Sequence, residues 1–193
     1  MNKVNTEQQN IYKIIQFDEF IRKVNLHKNN ILDIESYAMK YAIYLACHPE
    51  KITPKNSLIQ NMMSNIPIVS CIIIKNNQII SYGISHVNLN YQPHFHAEYI
   101  AIKKAGKLAK DSTVIITLEP CWELSNLLYG KSCTDLLIDA KVAKVIYGFP
   151  DKAIFANGEG PDKLRKFGIT VISEFMKNDL QELYSTYKPE LKF

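Results

Sequence analysis

The apolar positions of this chain change their spacing partway along it. Over residues 5–24, Ile11, Ile14, Ile15, Phe17, Phe20 and Ile21 recur at roughly helical intervals, which predicts an amphipathic helix with one face to bury. Residues 27–30 interrupt the pattern, and a second helix is predicted over 33–47, punctuated by Pro49 and Pro54. The polar stretch 51–65 reads as a loop with room for a short helical turn. From there the runs become short and strand-like. Strands at 67–74 and 78–84 flank a turn at 75–77 and form a hairpin. A helix near 97–106, a strand at 113–118, a helix near 132–140 and a strand at 142–147 follow. The pattern closes with a helix at 161–166, a strand at 169–173 and a terminal helix near 178–187.

Strands alternating with helices after an opening hairpin predict a three-layer α/β domain with a mixed sheet flanked by helices. The helix between the last two strands makes that pair parallel, through a right-handed crossover. There is no internal repeat. The chain divides into an N-terminal helical extension, residues 1–30, and one domain, residues 31–193.

Composition narrows the class. With 193 residues, 47% of them apolar and 22% charged, the chain suits a single globular domain with a real core. The net charge of +4 suits an anionic substrate but falls short of the basic footprint of a strong nucleic-acid binder. Scattered solvated lysines would give the same value. No apolar run approaches the roughly 18–20 residues of a membrane span, and residues 1–10 are too polar for a secretory signal. A cytoplasmic location is expected. Cysteines at 47, 71, 121 and 133 lack the dense spacing of a disulfide framework, so they read as core residues or metal ligands.

The chemistry lies in three fragments: His96-Ala97-Glu98, Glu119-Pro120-Cys121 and Cys133. His96, Cys121 and Cys133 supply one imidazole and two thiolates, the three protein ligands of a catalytic zinc whose fourth position is open to water. Zinc lowers the pKa of that water towards neutrality. Glu98, two residues past a ligand at a helix start, can face the same cavity and shuttle protons without binding metal. H-x-E followed by P-C is the signature of zinc-dependent hydrolytic deaminases, which remove an exocyclic amine from a nucleobase-like ring. Either half alone is common by chance. Their order, each near a helix start, is specific. Eleven residues separate the two cysteines where two are usual.

In this order the fragments resemble the deaminase domain of riboflavin biosynthesis, within the cytidine deaminase superfamily. That branch spaces its cysteines widely around a Y-G-K or Y-G-R element, here Tyr129-Gly130-Lys131. Further likeness lies in Ser36-Tyr37-Ala38-Met39-Lys40, Ile68-Val69-Ser70-Cys71 and Gly168-Ile169-Thr170-Val171, so the resemblance runs from Glu35 to Val171. It implies a cytidine-deaminase-like fold with a five-stranded sheet, one zinc, an aminopyrimidine-type nucleotide or the riboflavin-pathway intermediate as substrate, and a homo-oligomer. It also implies a substrate contact at His86, where relatives place a histidine after the hairpin. The departures are Asn65-Ile66-Pro67 in place of Asn-Pro, Trp122-Glu123 in place of Ser-His, and a longer loop between the cysteines. The reductase domain carried by many bacterial members has no counterpart in these residues.

Lys131, two residues before a predicted ligand, is a candidate contact for an anionic or carbonyl group of the substrate; a solvated lysine is the bland alternative. For His86 the bland alternative is a loop histidine, and for Glu98 a carboxylate that merely favours a helix N-terminus. Two rival functions remain at this point. A tRNA or single-stranded DNA base deaminase would need basic and aromatic residues around the pocket, of which Trp122, Tyr129 and Lys131 supply a few. A non-enzymatic zinc-stabilised module would not need Glu98.

Overall fold

The computed structural model describes residues 34–48, 57–58, 68–88, 94–123, 130–150 and 159–181. The extension 1–30, with its expected helix over 5–24, lies outside the described residues, as do Tyr129 and most of the loop 51–65.

The chain enters through helix α1 (Ile34–Cys47), whose Ala38, Met39, Tyr41, Ala42, Ile43, Leu45 and Ala46 are all buried. Strand β1 (Ser57–Leu58) is followed by the hairpin of β2 (Ser70–Lys75) and β3 (Gln78–Ile84). Asn76 and Asn77 make its turn, with φ of 50° and 60°. Positive φ at both central residues is the backbone of a type I′ turn, which asparagine tolerates better than most side chains. Strands β4 (His86–Asn88) and β5 (His94–Phe95) lead into helix α2 (Ala97–Ala105), which tightens to a 3-10 turn at Gly106–Ala109. Then come β6 (Thr113–Leu118), α3 (Cys133–Asp139), β7 (Lys144–Phe149), α4 (Glu159–Lys166) and β8 (Thr170–Ile172). A last helical stretch covers 177–181.

The main sheet is five-stranded in the order β3-β2-β6-β7-β8. β2 runs antiparallel to β3 and β6, whereas β6–β7 and β7–β8 are parallel, each pair joined through a helix. The expected mixed sheet, opening hairpin and parallel final pair are therefore present. Alternation along the central strands separates two cores. Cys71, Ile73, Val114, Ile116, Val145 and Tyr147 face Ala97, Ala101 and Ala105 of α2, Leu137 of α3 and Leu164 of α4. The other face meets α1: Ser70 Oγ donates to the Ala42 carbonyl, and the Met39 side chain closes on Gly148. Helices thus cover both faces, giving the three-layer architecture.

Element boundaries differ from the sequence pattern where a backbone group finds a better partner. β2 starts at Ser70 and not at 67, because Val69 N donates to the Ser85 hydroxyl at 2.9 Å instead of extending the ladder. β7 starts at Lys144 and not at 142, because Val142 N turns back to the Leu137 carbonyl of α3. Residues 57–58, expected in a loop, form a strand of a second, three-stranded sheet in the order β1-β4-β5. Strands of two or three residues carry no readable periodicity.

Candidate active site

The amino ends of α2 and α3 and the carboxyl end of β6 converge. His96 caps α2 with extended backbone (φ −76°, ψ 149°) and makes no side-chain cap, so its imidazole is directed elsewhere. Its Nδ1 lies 3.2 Å from Cys133 Sγ and 3.7 Å from Cys121 Sγ. Cys121 follows β6 through Glu119-Pro120, and Glu119 N donates to the Phe149 carbonyl at 2.8 Å, which fixes the end of β6 against β7. Cys133 is the first residue of α3. The Ser132 hydroxyl caps this helix by accepting from Asp135 N at 3.1 Å, and Cys133 N donates to Cys121 Sγ at 3.4 Å.

The three ligand atoms lie within 4.8 Å of one another, and they form the one such group among the described residues. A tetrahedral zinc with Zn–S of about 2.3 Å and Zn–N of about 2.0–2.1 Å sets its ligand atoms roughly 3.5–3.8 Å apart. The Nδ1–Cys121 sulfur distance of 3.7 Å falls within that span, and the Nδ1–Cys133 sulfur distance of 3.2 Å is shorter than it. The donor set fits, since imidazole and thiolates suit zinc. None of the four cysteines is in a disulfide.

Glu98 sits in the first turn of α2, 3% exposed, with its carboxylate beside the Cys133 thiol. Burial raises its pKa, with the neighbouring His96 pulling the other way. The two site sulfurs are driven apart. Cys121 is lowered to about 5, chiefly by the hydrogen bond from Cys133, with burial opposing and His96 assisting. Cys133 is pushed well up by burial first, then by Cys121 and Glu98. A bound divalent cation would hold both as thiolates. Beneath them Cys71 is fully buried, its thiol raised by burial and by Glu98.

His86 is half-buried in β4, paired in register with Phe95. Its Nδ1 lies 2.9 Å from the Ile84 carbonyl, an acceptor only, so Nδ1 donates there and Nε2 is the ring nitrogen left for another partner. Its ring lies 5.6 Å from that of Phe95, which stacks on Tyr99 at 6.0 Å. Lys131 is exposed and paired with Asp139 at the end of α3; that carboxylate raises the lysine's pKa.

The sequence motifs placed His96, Glu98, Cys121 and Cys133 together, and the structure groups them. It does not bring Lys131 into that cluster. Beside the ligand His96, Phe95 of β5 stacks on Tyr99 of α2, a contact that no spacing within one element announces in the sequence. Trp122, next to Cys121, buries an indole Nε1 that has no hydrogen-bond partner among the described residues.

Residues 35–149 match the model of the cytidine and deoxycytidylate deaminase zinc-binding region, more than half of the chain. The chain belongs to that family. It is similar to the chloroplastic riboflavin biosynthesis protein PYRD of Zea mays, at 35% identity over 61% of this chain and 29% of that protein. It is also similar to the diaminohydroxyphosphoribosylamino-pyrimidine deaminase of Buchnera aphidicola, at 36% identity over 60% of this chain and 74% of that protein. Among solved structures, RibD of Acinetobacter baumannii superposes with a TM-score of 0.61 at 28% identity, covering 82% of this chain and 40% of that one. The chain spans well under half the length of the PYRD and RibD relatives it matches. The family is a zinc-binding one, and the fold is cytidine-deaminase-like as expected. No helix among the described residues is long and apolar enough to cross a membrane.

Proposed function

We propose that this domain is a zinc-dependent hydrolytic deaminase that acts on a phosphorylated aminopyrimidine, specifically the diaminohydroxyphosphoribosylamino-pyrimidine of riboflavin biosynthesis. One observation carries it: Glu98 is buried against Cys133 without being one of the three clustered ligand residues. A structural metal site normally closes with four protein ligands and has no use for a buried carboxylate beside three.

His96, Cys121 and Cys133 would hold the metal. When bound, zinc supplies a water acidified to near-neutral pKa and an electrophile for the developing charge. Glu98 accepts the proton of the attacking water as that water's oxygen bonds to the ring carbon bearing the amine. Glu98 then delivers protons to the ring nitrogen and to the amine. The amine leaves as ammonia, and a ring carbonyl remains. Burial of Glu98 favours this cycling, because raising a carboxyl pKa makes the group a stronger proton acceptor than an exposed carboxylate.

The substrate rests on the Buchnera and maize relatives' names together with the Y-G-K element and the net charge of +4. His86, whose ring packs on Phe95 next to the ligand His96, offers its Nε2 as a polar contact for the substrate. A homo-oligomer in the cytoplasm belongs to the same proposal. The test is an ammonia-release screen over free bases, nucleosides, nucleotides, the riboflavin intermediate, and short RNA and DNA oligomers. Turnover of the riboflavin intermediate supports the proposal. Turnover confined to tRNA or single-stranded DNA would replace it with the nucleic-acid reading, and no turnover by zinc-loaded protein would favour a non-enzymatic module.

A further inference from the structure

The two sulfur ligands are separated by a long connection, and something other than that connection must set their relative position. The first turn of α3 does so. Helix-starting N–H groups have no partner within the helix; here the N–H groups of Cys133, Thr134 and Asp135 bond Cys121 Sγ, the Cys121 carbonyl and Ser132 Oγ. Thr134 makes two of the bonds to Cys121. Its backbone N donates to the Cys121 carbonyl at 3.0 Å, and its hydroxyl donates to the same oxygen at 2.9 Å.

Thr134 is fully buried. A helix threonine ordinarily turns its hydroxyl back to the preceding turn of its own helix; this one reaches 13 residues back along the chain. Space for it comes from α4. A Cβ on Gly160 would lie 2.9 Å from Thr134 Oγ1 and 2.7 Å from the Pro120 carbonyl oxygen, so only glycine admits this hydroxyl and the Pro-Cys segment side by side.

We propose that Thr134 is a positioning residue for the metal: its hydroxyl fixes the Cys121 backbone, and through it the angle at which the Cys121 sulfur meets the Cys133 sulfur and His96 Nδ1. This rests on the zinc assignment above. Groups that orient metal ligands without touching the metal commonly contribute 10- to 100-fold in affinity. The long connection between the cysteines is then tolerable, because its two ends are tied directly to each other.

The full chain carrying Thr134→Val, Thr134→Ala or Thr134→Ser is titrated with zinc against a chromophoric chelator, and with Co2+ for its ligand-field spectrum. Wild type and Thr134→Ser should share one affinity and one tetrahedral Co2+ spectrum. Thr134→Val and Thr134→Ala should bind zinc about 10- to 100-fold more weakly and give an altered Co2+ spectrum. Affinity within twofold of wild type in a folded Val or Ala variant overturns the proposal. So do Val and Ala variants that fail to fold beside a metal-binding Ser variant, since the hydroxyl then serves the fold. Wild type that binds no zinc refutes the zinc assignment itself, a distinct result.

Discussion

Gly83 of β3 lies so close under α2 that a Cβ there would sit 2.1 Å from the Ala97 carbonyl oxygen and 2.8 Å from Ala101 N. Both are backbone atoms, so no rotamer change can relieve the overlap. Ala97 stands between His96 and Glu98. A methyl group at 83 must therefore lift the turn that carries a metal ligand and the proposed proton shuttle together. Gly83→Ala should destabilise the domain by about 1–3 kcal/mol or more, as overpacking does, read as a fall in Tm of roughly 2–4 °C per kcal/mol for a domain of this size. Zinc content should fall with it; an unchanged Tm with full zinc would show that α2 can shift freely.

The relationship also shows what a sequence conveys and what it withholds. Strands β3 and β6 were legible to the residue, since Gln78–Ile84 and Thr113–Leu118 are strand-like runs that each follow a turn. The ligands were legible because zinc chemistry permits few residue types at these places. Nothing local marks Gly83 as the floor under α2, Thr134 as a donor to Cys121, or Ser57–Leu58 as the neighbour of β4. Those depend on segments distant in sequence meeting in space. Pro161 misplaced the start of α4: it reads as the first helical residue but is the third, tolerated because first-turn N–H groups need no helical acceptor.

Cys133→Ala removes a ligand and leaves in place the backbone N–H that bonds Cys121 Sγ. Purified wild type should hold about one zinc per chain, and the variant should lose it. Metal analysis by mass spectrometry on gel-filtered protein decides the matter. Full zinc in the variant would mean that another residue supplies the ligand.

Thiol reactivity gives an independent reading of the same site. In chelator-treated protein, Cys121, lowered to about 5, should be largely thiolate at neutral pH and alkylate first, ahead of Cys133 and Cys71, which burial pushes up. Zinc should protect it. Peptide mapping after brief alkylation, with and without zinc, checks this; equal labelling of Cys121 in both states would contradict the ligand assignment.

Lys131 can contact substrate only by leaving Asp139. Lys131→Ala should then lower kcat/KM for the phosphorylated substrate roughly ten- to a hundredfold, the scale of a hydrogen bond to a charged group, and leave zinc bound. A dephosphorylated analogue should be indifferent to the change. Asp139→Asn frees the lysine and should preserve or raise activity. If Lys131→Ala leaves both substrates unaffected, the lysine is a surface residue held by its ion pair.

The most direct measurement compares zinc content and ammonia release in one preparation of Glu98→Gln with the wild type, on the substrate found by screening. Glutamine keeps the size and much of the hydrogen bonding of Glu98 but cannot take a proton from water. The account predicts normal zinc content, a normal Tm, and turnover reduced by about 10²–10⁴-fold or more, the contribution of a positioned general acid–base group. Near-normal turnover in a fully zinc-loaded variant would contradict it, because some other group would then be moving the proton.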